Sequence, residues 1–255
     1  MYRAPARWKI IQADYSQAEA VVVTHLIGDY KLIKLFRDSF GLSKTQKAPY
    51  DIHKFTFAQL AGIPMEQVTP AQRDAGKTVR HATNYSAGPT VLANRLGVSL
   101  KEAKTLIDLY HKANPMLRMW YNLIQQELKL TKTLINLFGR KHRFLDRWGD
   151  GLFRSAYSYV PQSTIGDLLN KALLQIYDSH MELSYEMLIL LQLHDAVYVM
   201  VKEENVMDTI KFLRKQMLIP LTYNNDEFFI DVDFAVGDSW GETKTLEIDW
   251  REVSI

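Results

Sequence analysis

The chain has 255 residues, 47% apolar and 24% charged, which is enough for one large domain or two small ones around a buried core. A net charge of +2 excludes a basic tail protein and confines any nucleic-acid surface to a local patch. With no cysteine, disulfides, thiolate zinc sites and cysteine nucleophiles are all excluded, and a reducing cytoplasm fits. Residues 1–7 carry no apolar core for a secretory signal. The most apolar run, 187–201, is broken by Gln192, His194 and Asp195 and is too short to span a bilayer, so no membrane partner is expected.

In chain order, Trp8 to Ile11 reads as a strand entering a core, with Asp14 at its carboxyl end. Ala18, Val21, Val22, His25 and Leu26 then recur at helical spacing. Asp14 and Glu19 fit two readings: a helix cap with an acid complementing the dipole, or two carboxylates holding a cation. Residues 30–50 read as mixed, with 41–45 a loop. A helix opens at Asp51-Ile52-His53 and ends at Gly62. Thr69-Pro70-Ala71-Gln72 starts another, with a cap, a first-position proline and a capping box, running to about Tyr85. On it Arg73, Lys77, His81 and Tyr85 form one slowly winding face about 18 Å long. Two cations followed by two rings suit a triphosphate with a base stacked beyond it, and a solvated basic face is the plainer alternative.

Ser99 to Glu102 is a second capping box, with Ala103, Leu106, Ile107 and Tyr110 as the buried stripe. Asn114-Pro115 ends that helix and starts the next, which reaches about Leu130. Residues 134–145 read as a hairpin turning at Gly139-Arg140, and Asp146 and Asp150 as turn formers. A helix is predicted over 154–185, bent near Pro161. Residues 188–193 and 196–201 read as two strands meeting at His194-Asp195, where a lone Asp has turn chemistry as its plain explanation. An amphipathic helix follows over 206–217, then one half-exposed strand over 228–236 with Asp231 and Asp233 solvated. Strands at the start and in the latter half, around a helical insert, predict an α+β architecture with an inserted helical subdomain.

Three motifs in order carry a family resemblance. Asp14-Tyr15-Ser16-Gln17-Ala18-Glu19 resembles the first palm motif of family A DNA polymerases. Arg73, Lys77 and Tyr85 resemble that family's Arg-x3-Lys-x6–7-Tyr-Gly fingers motif, with His81 in place of the usual aromatic and Ser86 in place of the glycine. Gln192-Leu193-His194-Asp195 resembles its third motif, Gln-x-His-Asp-Glu, with Ala196 in place of Glu. His53, Arg154, Gln162 in Pro161-Gln162-Ser163-Thr164, Gly139-Arg140-Lys141 and Gly237-Asp238-Ser239-Trp240 extend the likeness over residues 8–241.

The resemblance implies a polymerase palm, an antiparallel sheet with flanking helices, over 1–30 and 133–255, with helical fingers inserted at 31–132. It implies template-dependent transfer of dNTPs to a primer 3′-hydroxyl, with two Mg²⁺ ions held by the catalytic Asp14 and Asp195 and by the Tyr15 carbonyl. It assigns Gln17, Glu19, His53, Arg73, Lys77, His81 and Tyr85 to the nucleotide, with Glu19 blocking a ribose 2′-hydroxyl. Arg154, Gln162 and His194 fall to the primer–template DNA. A thumb and an exonuclease are expected to be absent, and a separate chain or upstream segment to supply the thumb. A bacterial or phage-infected cytoplasm is the expected setting. A non-catalytic DNA-binding remnant and a single-subunit RNA polymerase are the alternatives.

Overall fold

The computed structural model describes residues 3–253, so the outermost residues of the expected terminal segments, 1–2 and 254–255, lie outside it. In chain order its principal elements are β1 (Trp8–Tyr15), α1 (Ala18–Ile27), α2 (Tyr30–Ser39), α3 (Ile52–Ala61), α4 (Pro70–Asn84), α5 (Pro89–Leu96), α6 (Leu100–Ala113), α7 (Pro115–Thr131), β2 (Thr133–Ile135), β3 (Lys141–Arg143), α8 (Asp150–Ser179), β4 (Met187–Leu193), β5 (Ala196–Lys202), α9 (Val206–Met217), β6 (Leu221–Tyr223), β7 (Asp226–Phe228), β8 (Val232–Gly237) and β9 (Lys244–Thr245). They cluster into two compact units. A sheet unit takes the described residues up to Val21, Phe40–Gln46 and those from Ser163 onward, and a helical unit takes Val22–Ser39 and Lys47–Gln162.

The sheet unit is organised on five strands in the order β4-β5-β1-β8-β9, each antiparallel to its neighbour. Alternation along β1 decides its two faces. Ile11, Ala13 and Tyr15 are buried, while Gln12 and Asp14 between them are half-buried. The buried side continues through Val197, Val199, Val232 and Phe234 and meets α9, whose Ile210, Leu213 and Met217 are fully enclosed. The Tyr15 hydroxyl donates to the Met217 carbonyl at 2.7 Å, so its ring belongs to this core.

The expected single strand over 228–236 is corrected. β7 ends at Phe228 in a hairpin with β6, and β8 begins only at Val232. Between them Asp231 is buried, not solvated. Its carboxylate meets the Arg214 guanidinium at 3.3 Å and accepts from the Gly41 and Val232 backbone N–H groups at 2.9 and 3.0 Å. Arg214 in turn lies 4.6 Å from the Trp250 ring centroid and 5.6 Å from that of Phe40. A buried carboxylate survives only when its charge and lone pairs are met, and here the partners come from two distant segments and from the adjoining Val232.

In the helical unit the predicted caps are present. Asp51 caps α3, Gly62 at φ 67 ends it, and both the Thr69 and Ser99 capping boxes are closed. α3 and α4 approach so closely that a Cβ on Gly76 would collide with the His53 carbonyl and sit 3.1 Å from the Phe57 Cβ. Two helices were not anticipated. α2 is started by Asp29, whose carboxylate accepts from the Lys31 and Leu32 N–H groups at 3.1 and 3.3 Å. α5 runs only from Pro89 to a left-handed Gly97. α8 begins at Asp150, so that residue opens a helix and does not form a turn, and it continues through Pro161 to Ser179. No helix among the described residues is long and apolar enough to cross a membrane.

Candidate active site

In the sheet unit, Leu193 pairs with Ala196, so His194 and Asp195 form the tip of the β4–β5 hairpin, with His194 at φ 55. The Tyr15 N–H donates to the Asp195 carbonyl at 3.1 Å and ties this tip to the end of β1. Asp14 lies inside β1, opposite Ala196 on one side and Asp233 on the other. It is therefore not a helix cap, since α1 starts only at Ala18. Its carboxyl group is pushed up to about 7, chiefly by burial, then by the nearby Asp195 carboxylate, and less by Asp233. One of its oxygens, Oδ1, is buried without a hydrogen-bond partner. Two carboxylates and no facing cation are what a bound positive ion would relieve. Among the described residues, however, no group of three or more His, Asp or Glu is arranged to hold a metal ion.

Around this pair, Glu19 stands in the first turn of α1 and Gln17 precedes it at φ 53. The Gln17 Oε1 is buried without a partner. Ala196 is buried against Ile10 and Tyr198, with Trp240 packed alongside. An acid at that position would face an apolar cluster. Asp233 was not anticipated, because nothing in its local alternation tells which neighbour the strand will acquire. His194 is exposed at the hairpin tip.

In the helical unit, α4 buries Gly76, Val79, Arg80, Ala82 and Thr83 and leaves Lys77 and His81 exposed. Arg73 is half-buried, and its Nε donates to Asp51 Oδ2 at 2.6 Å. The other Asp51 oxygen accepts from the His53 and Lys54 N–H groups at 2.9 and 3.0 Å, so one carboxylate both caps α3 and orients Arg73. Burial pushes Asp51 up, but the Lys54 N–H and the Arg73 guanidinium outweigh it and hold the carboxyl below its ordinary value. His81 and Tyr85 meet edge to face, 5.4 Å between ring centroids. The His53 ring is pushed down to about 4 by burial, with Arg73, Arg80 and Lys77 adding to the effect, and its Nδ1 is buried without a partner. Arg80 is a charge the sequence reading missed. It is 3% exposed, donates from Nε to Thr56 Oγ1 at 2.7 Å, and sits 5.7 Å from the Tyr110 ring centroid. Its place beside Val79 and Thr83 on the inward face was the available signal. Arg154 and Gln162 are exposed on the first part of α8.

Residues 1–242 match the family model for DNA polymerase family A. The chain is similar to the thermostable DNA polymerase I of Thermus aquaticus, 26% identical over 245 residues that cover 93% of this chain and 27% of that protein. It is similar to the DNA polymerase I of Chloroflexus aurantiacus, 29% identical over 244 residues covering 94% and 25%, respectively. It is also similar to that of Pseudomonas aeruginosa, 26% identical over 245 residues, again covering 94% and 25%. The chain thus spans about a quarter of the length of these curated relatives. Among solved structures, the POL domain of Pol1 from M. smegmatis, in complex with DNA primer-template and dNTP, resembles it with a TM-score of 0.79 at 23% identity, over 94% of this chain and 41% of that one.

Proposed function

The chain belongs to DNA polymerase family A, and on that premise we propose that it is the palm and fingers portion of a DNA-directed DNA polymerase. Residues 1–30 and 133–255 form the palm in this reading, and 31–132 the fingers. The observation that carries it is the Asp14–Asp195 pair: two carboxylates from separate motifs, where Asp14 pairs with Ala196 across the sheet and its carboxyl group is pushed up, first by burial and then by the neighbouring Asp195 carboxylate. Their chemistry fits Mg²⁺, which Asp14, Asp195 and the Tyr15 carbonyl would hold. When bound, such ions neutralise charge and activate an attacking hydroxyl. Arg73, Lys77 and His53 bind the triphosphate in this proposal. His53, neutral at pH 7, accepts a proton more readily as phosphate approaches. His81 and Tyr85 support the nascent pair, Gln17 and Glu19 meet the sugar, and Arg154, Gln162 and His194 contact primer and template. A thumb on an upstream segment or separate chain completes the grip on the duplex, because a net charge of +2 leaves little basic surface for it.

Primer extension with Mg²⁺ tests the reading. Asp14→Asn and Asp195→Asn should each abolish extension while the fold persists. Lys77→Ala should weaken dNTP use strongly and primer–template binding little. Near-wild-type extension by either Asp variant would refute the carboxylate assignment. Glu19→Ala should raise ribonucleotide incorporation relative to deoxyribonucleotide, and unchanged discrimination would remove Glu19 from the sugar site.

A further inference from the structure

On α4, Lys77 follows Arg73 by four residues and Arg80 follows Lys77 by three, so the three cations share one side of the helix. Lys77 is exposed, Arg73 is half-buried and Arg80 is sealed in the interior. The first two have roles above, and Arg80 has none. We propose that Arg80 is a positioning residue for the triphosphate: a cation sealed among α3, α4 and α6 beside His53, with no carboxylate of its own, whose charge is answered by the phosphates of the nucleotide. This role rests on the polymerase reading and adds a residue to its nucleotide site.

Its partners orient the side chain without neutralising it. Arg73 is met by the Asp51 carboxylate at 2.6 Å and Arg214 by that of Asp231 at 3.3 Å. Among the described residues Arg80 meets a hydroxyl and a ring face instead. Its Nε donates to Thr56 Oγ1 at 2.7 Å, and its guanidinium carbon lies 5.7 Å from the Tyr110 ring centroid. Its Nη2 is buried without a hydrogen-bond partner. A buried charge left in this state costs stability. Neither neighbour needs an arginine, because the Thr56 hydroxyl donates to the Ile52 carbonyl at 2.7 Å and the Tyr110 hydroxyl to Asn84 Oδ1 at 2.8 Å. An apolar side chain in place of a buried charge is often neutral or stabilising, so packing alone does not account for Arg80.

The place of the charge says what it acts on. Thr56 stands three residues after His53, one turn along the same side of α3. Gly76, one turn before Arg80 on α4, leaves no room for a Cβ against the His53 carbonyl, so the two helices hold Arg80 and His53 close together. Burial is the main cause of the lowered pKa of His53, Asp51 opposes it, and Arg73, Arg80 and Lys77 each lower it further. Being buried, Arg80 touches no phosphate itself. Its charge acts through the surrounding protein, where the dielectric is low and salt screens little, and so reaches an anion beside His53 more strongly than its distance in water would allow.

Titration calorimetry of the whole chain with dATP and Mg²⁺, beside thermal melts without nucleotide, tests this without requiring catalysis. Arg80→Met should weaken dATP binding about tenfold, the scale of one unit charge acting over roughly 10 Å at an effective dielectric of about 20. Its melting temperature should stay level or rise. Arg80→Lys, which keeps the charge, should keep most of the affinity. The loss in Arg80→Met should be the same at about 50 and 200 mM salt, whereas the loss in Lys77→Ala should shrink as salt rises. Wild-type affinity in Arg80→Met, with Lys77→Ala weakened, would overturn the role of Arg80 and leave the triphosphate site standing. Equal weakening in Arg80→Met and Arg80→Lys, with lowered melting temperatures in both, would also overturn it, by making Arg80 a packing residue. A wild-type chain that does not bind dATP would overturn the triphosphate site and the role of Arg80 together.

Discussion

Asp14 carries the largest electrostatic burden of the proposed catalytic residues. Folded, it keeps its proton up to about pH 7, whereas the unfolded chain loses it near the ordinary carboxylate value of about 4. Between those values unfolding releases a proton, so stability contributed by this group falls as pH rises from about 4 to about 7. Asp14→Asn should remove that slope and raise the melting temperature by a few degrees at about pH 8 without divalent cations. Mg²⁺ should then raise the melting temperature of the wild type and leave that of the variant nearly unchanged. Thermal melts across pH, with and without Mg²⁺, make the comparison. Identical pH slopes in the two proteins would remove the charge burden from Asp14.

At the scale of elements, α3 and α4 depend on a missing side chain and a shared carboxylate. Gly76→Ala places a methyl group against the His53 carbonyl, which is backbone and cannot rotate aside. The helices must separate, at a cost of about 1–3 kcal/mol. Because His53 and Arg73 lie on these two helices, dNTP affinity should fall with stability. Asp51→Ala removes the α3 cap and the Arg73 partner together. Loss of the cap alone costs about 0.5–2 kcal/mol. Asp51→Asn keeps much of the cap but weakens the ion pair, so its stability should lie between those of wild type and Asp51→Ala. Chemical denaturation orders the three, and an Asp51→Asn variant as unstable as Asp51→Ala would show that the charge, not the cap, matters.

At the scale of the molecule, the Arg214–Asp231 pair gathers α9, the 40–46 segment and the C-terminal Trp250 into the sheet unit. Removing one member leaves the other buried and uncompensated. Asp231→Ala should therefore destabilise by about 3–5 kcal/mol. If denaturation showed a loss below about 1 kcal/mol, water would have to reach Arg214 freely. Primer–template affinity should also fall steeply, by orders of magnitude between about 50 and 200 mM salt, as expected of phosphate-dominated contacts. A flat salt dependence would mean that base contacts dominate binding.

Local chemistry made much of this legible in advance. Caps and breakers act within four or five residues, so Thr69, Ser99, Asp51 and Gly62 announced their helix ends directly. The two apolar runs around His194-Asp195 announced their hairpin for the same reason. The motifs identified the family, because their order and spacing lie along the chain. α2 and α5 escaped although local signals were present, an Asp29 cap for the first and Pro89 in its first turn with a left-handed Gly97 at its end for the second. What only the tertiary structure decided is which distant groups meet. Asp231 and Asp233 alternate identically in sequence, yet one is buried against Arg214 and the other lies beside Asp14. Arg80 is one more basic residue on α4 until Thr56 and Tyr110 enclose it. Burial and charge pairing depend on neighbours brought together by the fold, and a one-dimensional pattern records only the face a residue takes, not what that face will touch.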